Sequence, residues 1–172
     1  IWEGGSEESG SGVRFIANMP TEEVFTMPDY RKAEGKVVSS RPLSYRGNLI
    51  KDFSLTFHEG KVVDFDAREG YDALKQLLDT DEGSKSLGEV ALVPYASPIS
   101  EMGILFYNTL FDENASCHLA LGECYPTTVQ DGEKMNEEEL HQIGGNHSIN
   151  HVDFMIGTKD MKNKKMWKKV EK

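Results

Sequence analysis

Apolar and polar residues alternate through the first half of the chain in the pattern of β-strands. Phe53, Leu55 and Phe57 are separated by polar residues, which predicts a strand. Gly60 follows in the turn His58-Glu59-Gly60, where a glycine favours a tight reversal. The alternation predicts an antiparallel meander from residue 36 to residue 67, with strands at 36–40, 48–57 and 61–65.

The apolar residues change to a helical period between residues 68 and 79. Tyr71, Leu74, Leu77 and Leu78 recur at helical spacing and predict a helix that packs across the meander, and Gly83 marks its end. A second, acidic helix is predicted at residues 136–142, where Asn136 is a suitable N-cap.

Three later apolar runs predict strands, at residues 89–93, 103–107 and 151–156. Residues 117–121 fit either a strand or a buried helical turn. Thr21 is a suitable N-cap for a helix whose acidic first turn would contain Glu22 and Glu23. Strand runs followed by isolated helices predict an α+β fold, with a mixed, mostly antiparallel sheet or a partly closed barrel and a few packed helices.

Length, charge and cysteine content exclude several classes of protein. The 172 residues suit one domain, and the two cysteines make no disulfide framework, which favours a reducing, cytoplasmic location. The net charge of −10 divides into +5 for residues 159–172 and −15 for the remainder. A body this acidic repels phosphate, so we expect no nucleic-acid partner. We expect no membrane association either, because the sequence has no signal peptide and no apolar run of about 18 residues.

The triplet His151-Val152-Asp153 carries the clearest chemical signal. Residues i and i+2 of a strand project to one face, which places the imidazole and the carboxylate side by side. This arrangement fits metal ligation, or a carboxylate that orients a histidine. The alternative is a half-exposed edge strand with two solvated polar residues.

Two further residues are polar within apolar surroundings. Glu89 begins a strand apolar enough to be buried, and a buried carboxylate needs a cation, a hydrogen-bonding partner or a proton. The alternative places Glu89 in solvent at a fraying strand end. His118 lies in a poorly hydrated segment of small and apolar residues, where it is either a ligand or a satisfied core histidine.

Several longer segments together resemble one known family. The familiar zinc-protease, serine-hydrolase, phosphate-loop and calcium-loop motifs do not occur. The segments NMPTEEVFT (18–26), GEVALVP (88–94), SPI (97–99), GILFYNTLFDENASCHLALG (103–122), YP (125–126) and HVDFMIG (151–157) resemble the thermophilic metallo-aminopeptidase family, of the aminopeptidase T and aminopeptidase S type. The resemblance extends from about Ile1 to Thr158.

The resemblance implies a site with two divalent metal ions. It places the metal-site residues at Glu23, Glu89, Glu113, His118, His151 and Asp153, with Glu22 as the alternative to Glu23. Four carboxylates and two neutral imidazoles would balance two divalent cations, and Glu89 is our choice for the bridging carboxylate, with a catalytic role. Oxygen and nitrogen ligands suit Zn, Co or Mn, and Mg is a further possibility. Tyr125 occupies the position of an active-site tyrosine and would hydrogen-bond the oxyanion.

The resemblance also implies a substrate and an organisation. Family members are exopeptidases that remove N-terminal amino acids from peptides with a free N-terminus, and they are homodimers. They carry a further N-terminal α/β domain, so residues 1–158 are expected to be the C-terminal, metal-bearing part of a longer protein, followed by a lysine-rich tail at 159–172. The competing hypothesis is a non-catalytic, metal-stabilised or acidic interaction domain.

Overall fold

The protein is described by a computed structural model that covers residues 1–16 and 20–162. The start of the NMPTEEVFT segment and most of the lysine-rich tail lie outside these ranges. The strands are β1 (Glu7–Glu8), β2 (Arg14–Phe15), β3 (Val24–Thr26), β4 (Gly35–Val38), β5 (Leu43–Tyr45), β6 (Asn48–His58), β7 (Lys61–Glu69), β8 (Leu87–Leu92), β9 (His118–Gly122) and β10 (His151–Met155). The α-helices are α1 (Tyr71–Leu78), α2 (Pro98–Met102), α3 (Thr109–Asp112) and α4 (Glu137–Gln142).

The predicted meander is confirmed and is centred on β6. This strand pairs with β7 along one edge and with β4 and β5 along the other, always antiparallel. Phe53, Leu55 and Phe57 are buried, in agreement with the alternation in the sequence. The short strand β5, which the sequence did not predict, forms a second tight hairpin with the start of β6.

Helix α1 packs against the meander as predicted. Leu74, Leu77 and Leu78 are buried among the apolar residues of β6 and β7. Gly70 precedes the helix with a left-handed backbone (φ 78°), and a Cβ atom there would lie 2.7 Å from the carbonyl oxygen of Leu49. The strand-to-helix transition therefore requires glycine at this position.

A second sheet has the strand order β10-β9-β8-β3, again antiparallel. Residues 117–121, which the sequence left open between strand and helix, belong mainly to β9. The helix considered after Thr21 is not formed, because this segment is extended and leads into β3. The acidic helix is confirmed as α4, and Asn136 caps it in a reciprocal capping box with Glu139.

The strand predicted at residues 103–107 is wrong. Gly103 ends α2 with a left-handed backbone, and the chain then runs irregularly to α3. The buried carboxylate of Asp112 accepts hydrogen bonds from the N–H groups of Phe106 and Asn108, at 2.8 and 3.1 Å. A side chain thus satisfies backbone donors that a neighbouring strand would otherwise occupy, so the apolar run needs no sheet.

The two sheets share one apolar core with α1. Phe53 of the meander and Phe154 of β10 lie with ring centroids 5.7 Å apart, and Leu121 and Val152 join the same cluster. The α+β fold with mostly antiparallel sheets is confirmed. Within the described residues the strands form separate sheets without a closed or partly closed barrel and without a parallel pair. No described helix has the length and apolar character needed to cross a membrane.

Asp81 fixes the loop that leads into β10. Its carboxylate accepts hydrogen bonds from the backbone N–H and hydroxyl of Ser84, the hydroxyl of Ser148 and the N–H of Ile149, all at 2.8 Å. Burial opposes ionisation of Asp81, but these hydrogen bonds outweigh it and lower its pKa to about 2. This loop ends where His151 begins β10, so Asp81 contributes to the position of that histidine.

Replacing Asp81 with alanine should lower the free energy of unfolding by about 2–3 kcal/mol, because two backbone N–H groups and two hydroxyls lose a charged acceptor. Because the carboxyl pKa is depressed in the folded state, the stabilisation is present above about pH 4 and lost as the pH falls toward 2. Urea unfolding of the variant and the wild-type protein at pH 7 and pH 3 measures both effects.

The matched control is Glu82→Ala, which removes an exposed carboxylate that pairs with Lys61 at the surface. Its effect on the free energy of unfolding should be much smaller than that of Asp81→Ala, because solvent screens an exposed ion pair. Equal losses in the two variants would contradict the role given to Asp81.

Candidate metal centre

Two carboxylates and two imidazoles project from one face of the second sheet. In the register of β8, β9 and β10, Glu89 and Asp153 both lie opposite Ala120 of the central strand. Neighbouring strands are about 4.8 Å apart, so the two carboxylate side chains converge above the small side chain of Ala120. His118 and His151 lie two residues before Ala120 and Asp153 and therefore share this face. The opposite face belongs to the apolar core.

The side chains form two overlapping groups of possible metal ligands. His118 Nε2 lies 2.9 Å from Glu23 Oε2 and 3.4 Å from Glu89 Oε1. His151 Nε2 lies 3.4 Å from Asp153 Oδ1 and 3.7 Å from Glu89 Oε2. Within each group the ligand atoms all lie within 4.8 Å of one another. Glu89 belongs to both groups and faces one histidine with each oxygen.

Backbone carbonyl groups orient both imidazole rings. His118 Nδ1 lies 3.1 Å from the carbonyl oxygen of Ser116, and His151 Nδ1 lies 2.8 Å from that of Glu123. A carbonyl oxygen only accepts, so Nδ1 carries the proton and donates in both rings. Each Nε2 therefore points to the carboxylates, an arrangement common among histidine ligands of metals.

The two adjacent glutamates that precede β3 differ in their position relative to the cavity. Glu23 lines the cavity and contacts His118. Glu22 is not among the residues of the cavity wall, and its backbone N–H donates to Asn114 Oδ1 at 2.7 Å. The hydrogen bond to Asn114 thus fixes the register of the pair.

Glu113 and Tyr125 complete the candidate set. Glu113 follows α3 in a short 3₁₀ turn, is buried, and shares a side-chain hydrogen bond with Asp153. It stands beside the two ligand groups without belonging to either. Tyr125 is 44% exposed, and its ring centroid lies 4.6 Å from that of His151. All predicted site residues therefore lie together.

A cavity of about 780 Å³ opens above the ligand groups. Its wall contains Glu23, Glu89, Glu113, Tyr125 and Asp153, among others, while His118 lies beneath the wall and is 1% exposed. This volume is within the range of small-molecule and peptide-substrate sites. The alternatives for Glu89 as a fraying strand end and for His151 as a solvated edge residue do not hold, because Glu89 is buried and the side chain of His151 is only 18% exposed.

The metal-free cluster holds protons more tightly than isolated side chains do. Burial raises the pKa of Glu113 to about 8, and the negative charges of Asp153 and Glu23 add to the shift. Burial opposes protonation of His151, but the adjacent carboxylate of Asp153, with Glu89 nearby, outweighs burial and raises the pKa to about 9. The pKa of His118 is also raised, because Glu23 and Glu89 outweigh the effect of burial.

The donor set fits divalent metal ions. Glu23 Oε2, His118 Nε2 and Asp153 Oδ1 are buried, and despite their short separations none of them makes a hydrogen bond of acceptable geometry within the described residues. Orphaned polar atoms of this kind are rare in folded proteins and call for a ligand. Four carboxylates and two imidazoles oriented through Nδ1 are the oxygen and nitrogen donors that zinc, cobalt and manganese accept.

Sequence reasoning missed several residues that build this centre. Ala120 is fully buried between the rows of ligands and leaves space that a larger side chain would fill. The small residues at alternate positions in His118-Leu119-Ala120-Leu121-Gly122 were a usable signal, because they lie on one strand face. Tyr45 and Arg46 also line the cavity, but they lie far away in the chain and no local pattern indicated them.

Comparisons with known proteins agree with the geometry. A family model described as thermophilic metalloprotease (M29) matches residues 1–169. Among curated relatives, Aminopeptidase 2 of Geobacillus stearothermophilus is 57% identical and Aminopeptidase AmpS of Bacillus subtilis is 58% identical, each over 161 residues and 94% of this chain.

A solved structure has the same fold. Wild-type AmpT from Thermus thermophilus superposes with a TM-score of 0.86 and 44% sequence identity, over 92% of this chain and 39% of that one. The chain likewise spans 39% of the length of the two curated relatives. The similarity therefore concerns a part of each longer protein.

Metal binding at pH 7 should release protons, because Glu113, His118 and His151 hold protons in the metal-free cluster and a ligand must lose them. The apparent affinity should rise with pH up to about pH 9, by roughly tenfold per unit for each proton released. Calorimetric titration with Zn²⁺ in two buffers of different ionisation enthalpy measures the number of protons. The His151→Ala variant should release fewer protons than the wild-type protein. Identical heats of binding in the two buffers would show that no protons are released and would contradict the expectation.

Proposed function

Since the chain belongs to the thermophilic metalloprotease (M29) family, we propose that it carries the metal centre of an aminopeptidase. This centre removes N-terminal amino acids from peptides with a free N-terminus. The observation that carries the proposal is the convergence of Glu23, Glu89, His118, His151 and Asp153 on one cavity, with orphaned polar atoms facing one another. The names of the curated relatives, which are aminopeptidases, support the choice of substrate.

We assign two metal positions to the two ligand groups. Glu23 and His118 would hold one metal, and His151 and Asp153 would hold the other. Glu89 would contribute to both positions, because its two oxygens face different histidines. Glu113 stands next to Asp153 and adds a fourth negative charge, so the carboxylates balance two divalent cations. Zn, Co, Mn and Mg are the candidates.

Glu89 and Tyr125 have different roles in the proposed hydrolysis. When bound, such a metal pair lowers the pKa of a shared water and polarises the scissile carbonyl group. Glu89 belongs to both ligand groups and would fix the position of one relative to the other. Tyr125 keeps its proton at neutral pH, because burial and the nearby carboxylates raise the pKa of its phenol. Its hydroxyl can therefore donate a hydrogen bond to the oxygen of the scissile carbonyl as negative charge develops there.

Further properties follow from the family resemblance and belong to the proposal. The full-length protein is a cytoplasmic homodimer that contains residues 1–158 as its metal-bearing domain, with the lysine-rich residues 159–172 as a tail. The partners are peptides, without nucleic acid or membrane. The competing function is a non-catalytic interaction domain stabilised by metal.

Metal content provides the first test. The chain should bind about two Zn²⁺ after chelation and reconstitution, measured by inductively coupled plasma mass spectrometry. Glu89→Gln should lose most of both metals because it removes the bridge, whereas His151→Ala should keep about one. His58→Ala is the matched control, because His58 is an exposed histidine that pairs with Glu34 outside the cavity. A chain that binds no metal would contradict the proposal.

Activity provides the second test. In the full-length protein, hydrolysis of an amino-acid nitroanilide should stop on chelation and return with metal, and His118→Ala or Asp153→Ala should abolish it. Unchanged activity in these variants would refute the assigned centre. Bound metal together with no hydrolysis of any peptide would favour the non-catalytic alternative.

The role of Tyr125 is tested by removing its hydroxyl. Tyr125→Phe should lower kcat about 100-fold, as expected for loss of one donor to a developing oxyanion, while KM and metal content stay the same. Tyr71→Phe is the control, because Tyr71 has the same 44% exposure and stacks on Phe65 away from the cavity. A kcat equal to that of the wild-type protein would remove Tyr125 from the mechanism.

A further inference from the structure

The cavity has a wall that the proposed metal ligands do not explain. Ser44, Tyr45 and Arg46, from the hairpin between β5 and β6, line the same cavity as Glu89 and Asp153. This hairpin belongs to the meander, whereas the ligands come mainly from the second sheet. The cavity thus lies between a ligand-rich wall and a hairpin wall.

Arg46 is the only lysine or arginine among the described residues that line the cavity. Within the described residues its guanidinium forms no ion pair, although arginine and lysine side chains elsewhere on the surface pair with carboxylates, as Lys51 does with Glu69. The guanidinium carbon lies 5.2 Å from the centroid of the Tyr45 ring. This cation–π contact holds the charge at the cavity while leaving the hydrogen-bonding edge of the guanidinium unused.

The turn itself does not call for arginine. Arg46 and Gly47 form the two central positions of the hairpin, with φ values of 47° and 77°. Asparagine, aspartate and glycine are favoured at the first of these positions, because a left-handed backbone strains most other side chains. Glu59 has the same φ of 47° at the equivalent position of the other hairpin, so the location of Arg46 at the cavity wall, and not the strain by itself, points to a role for its side chain.

Tyr45 supplies an independent observation at the same wall. Tyr45 is 8% exposed, and its hydroxyl has no hydrogen-bond partner among the described residues. The other orphaned atoms of this kind are those of Glu23, His118 and Asp153, all of which belong to the candidate metal centre. Both walls of the cavity therefore carry buried polar atoms that lack a hydrogen-bond partner among the described residues.

We propose that Arg46, supported by Tyr45, is a subsite for a carboxylate of the peptide substrate. The inference rests on the proposed function, because it assumes that a peptide occupies the cavity with its N-terminus at the metal centre. A guanidinium offers two parallel N–H donors that match a carboxylate. With two divalent metals balancing four carboxylates, Arg46 leaves the cavity wall with a net positive charge, which favours an anionic group on the ligand.

A carboxylate can reach this subsite from two sources. One is the C-terminal carboxylate of a short peptide, and the other is an aspartate or glutamate side chain downstream of the scissile bond. The first source would make the protein select short peptides by their free C-terminus. The second would make it select by sequence.

Three probes separate these sources in the metal-loaded full-length protein. They are trialanine with a free C-terminus, trialanine amide, and the amide of Ala-Asp-Ala. We expect kcat/KM to be at least about tenfold higher for one of the two carboxylate probes than for trialanine amide. Repeating the comparison from dipeptide to tetrapeptide locates the subsite, because each added residue extends the chain by about 3.5 Å.

Arg46→Asn is the decisive variant. Asparagine suits the left-handed turn position, so the melting temperature should be unchanged or higher, while the carboxylate preference should fall about 10- to 100-fold. Arg46→Lys should give an intermediate preference, because lysine keeps the charge but not the two parallel donors. The matched control is Glu59→Asn, at the equivalent position of the other hairpin (φ 47°) and outside the cavity, which should keep the full preference.

Two results would overturn the inference. One is a wild-type protein without carboxylate preference, and the other is an Arg46→Asn variant that keeps it. A lower melting temperature with equal losses on all three probes would assign Arg46 a purely structural role and would also overturn it. If no probe is hydrolysed, the proposed function fails, and dissociation constants of the same three probes, measured by calorimetry, decide on the subsite separately.

Discussion

The structure depends on compensating the negative charge buried at one sheet face. Glu89, Glu113 and Asp153 are each less than 10% exposed, and Glu23 reaches the same cluster. Isolated carboxylates are not stable in such surroundings, so they must take up protons or bind cations. The metal-free cluster takes up protons, as the raised pKa values of Glu113 and His151 indicate. Bound metal ions would compensate the same negative charge and would displace these protons. The sheet places the carboxylate and imidazole donors where such ions can bind.

The two faces of the second sheet have different roles: one packs in the apolar core, and the other carries the candidate metal ligands. Val152 and Phe154 of β10 join the apolar core, while His151 and Asp153 of the same strand face the cavity. A one-residue slip of β10 would exchange these two faces, so the apolar core also fixes the register of the ligands. The loop anchored by Asp81 sets where β10 begins, and backbone carbonyl groups set the orientation of both imidazole rings.

The sequence predicted those parts of this arrangement that depend on local patterns. The β pattern of the meander located β6 and β7, an apolar run located β10, and helical spacing located α1. The pairing of His151 with Asp153 followed from strand geometry alone. The strand predicted at 103–107 was wrong because a side chain takes the place of a neighbouring strand. The carboxylate of Asp112 accepts the hydrogen bonds of backbone N–H groups that a neighbouring strand would otherwise accept. Glu23 and Arg46 reach the cavity from distant parts of the chain, so no local pattern indicated their contacts. The resemblance to the metallo-aminopeptidase family supplied Glu23 and Glu113, whereas Arg46 required the structure.

The proposed role of Glu89 is to join two metal positions on this sheet face. Anomalous diffraction from crystals of the zinc-loaded protein, measured on both sides of the zinc absorption edge, would locate the metals. We expect two peaks about 3.5–4 Å apart, one beside His118 and one beside His151, with Glu89 between them. A single peak, or zinc bound elsewhere with the cluster left metal-free, would contradict it.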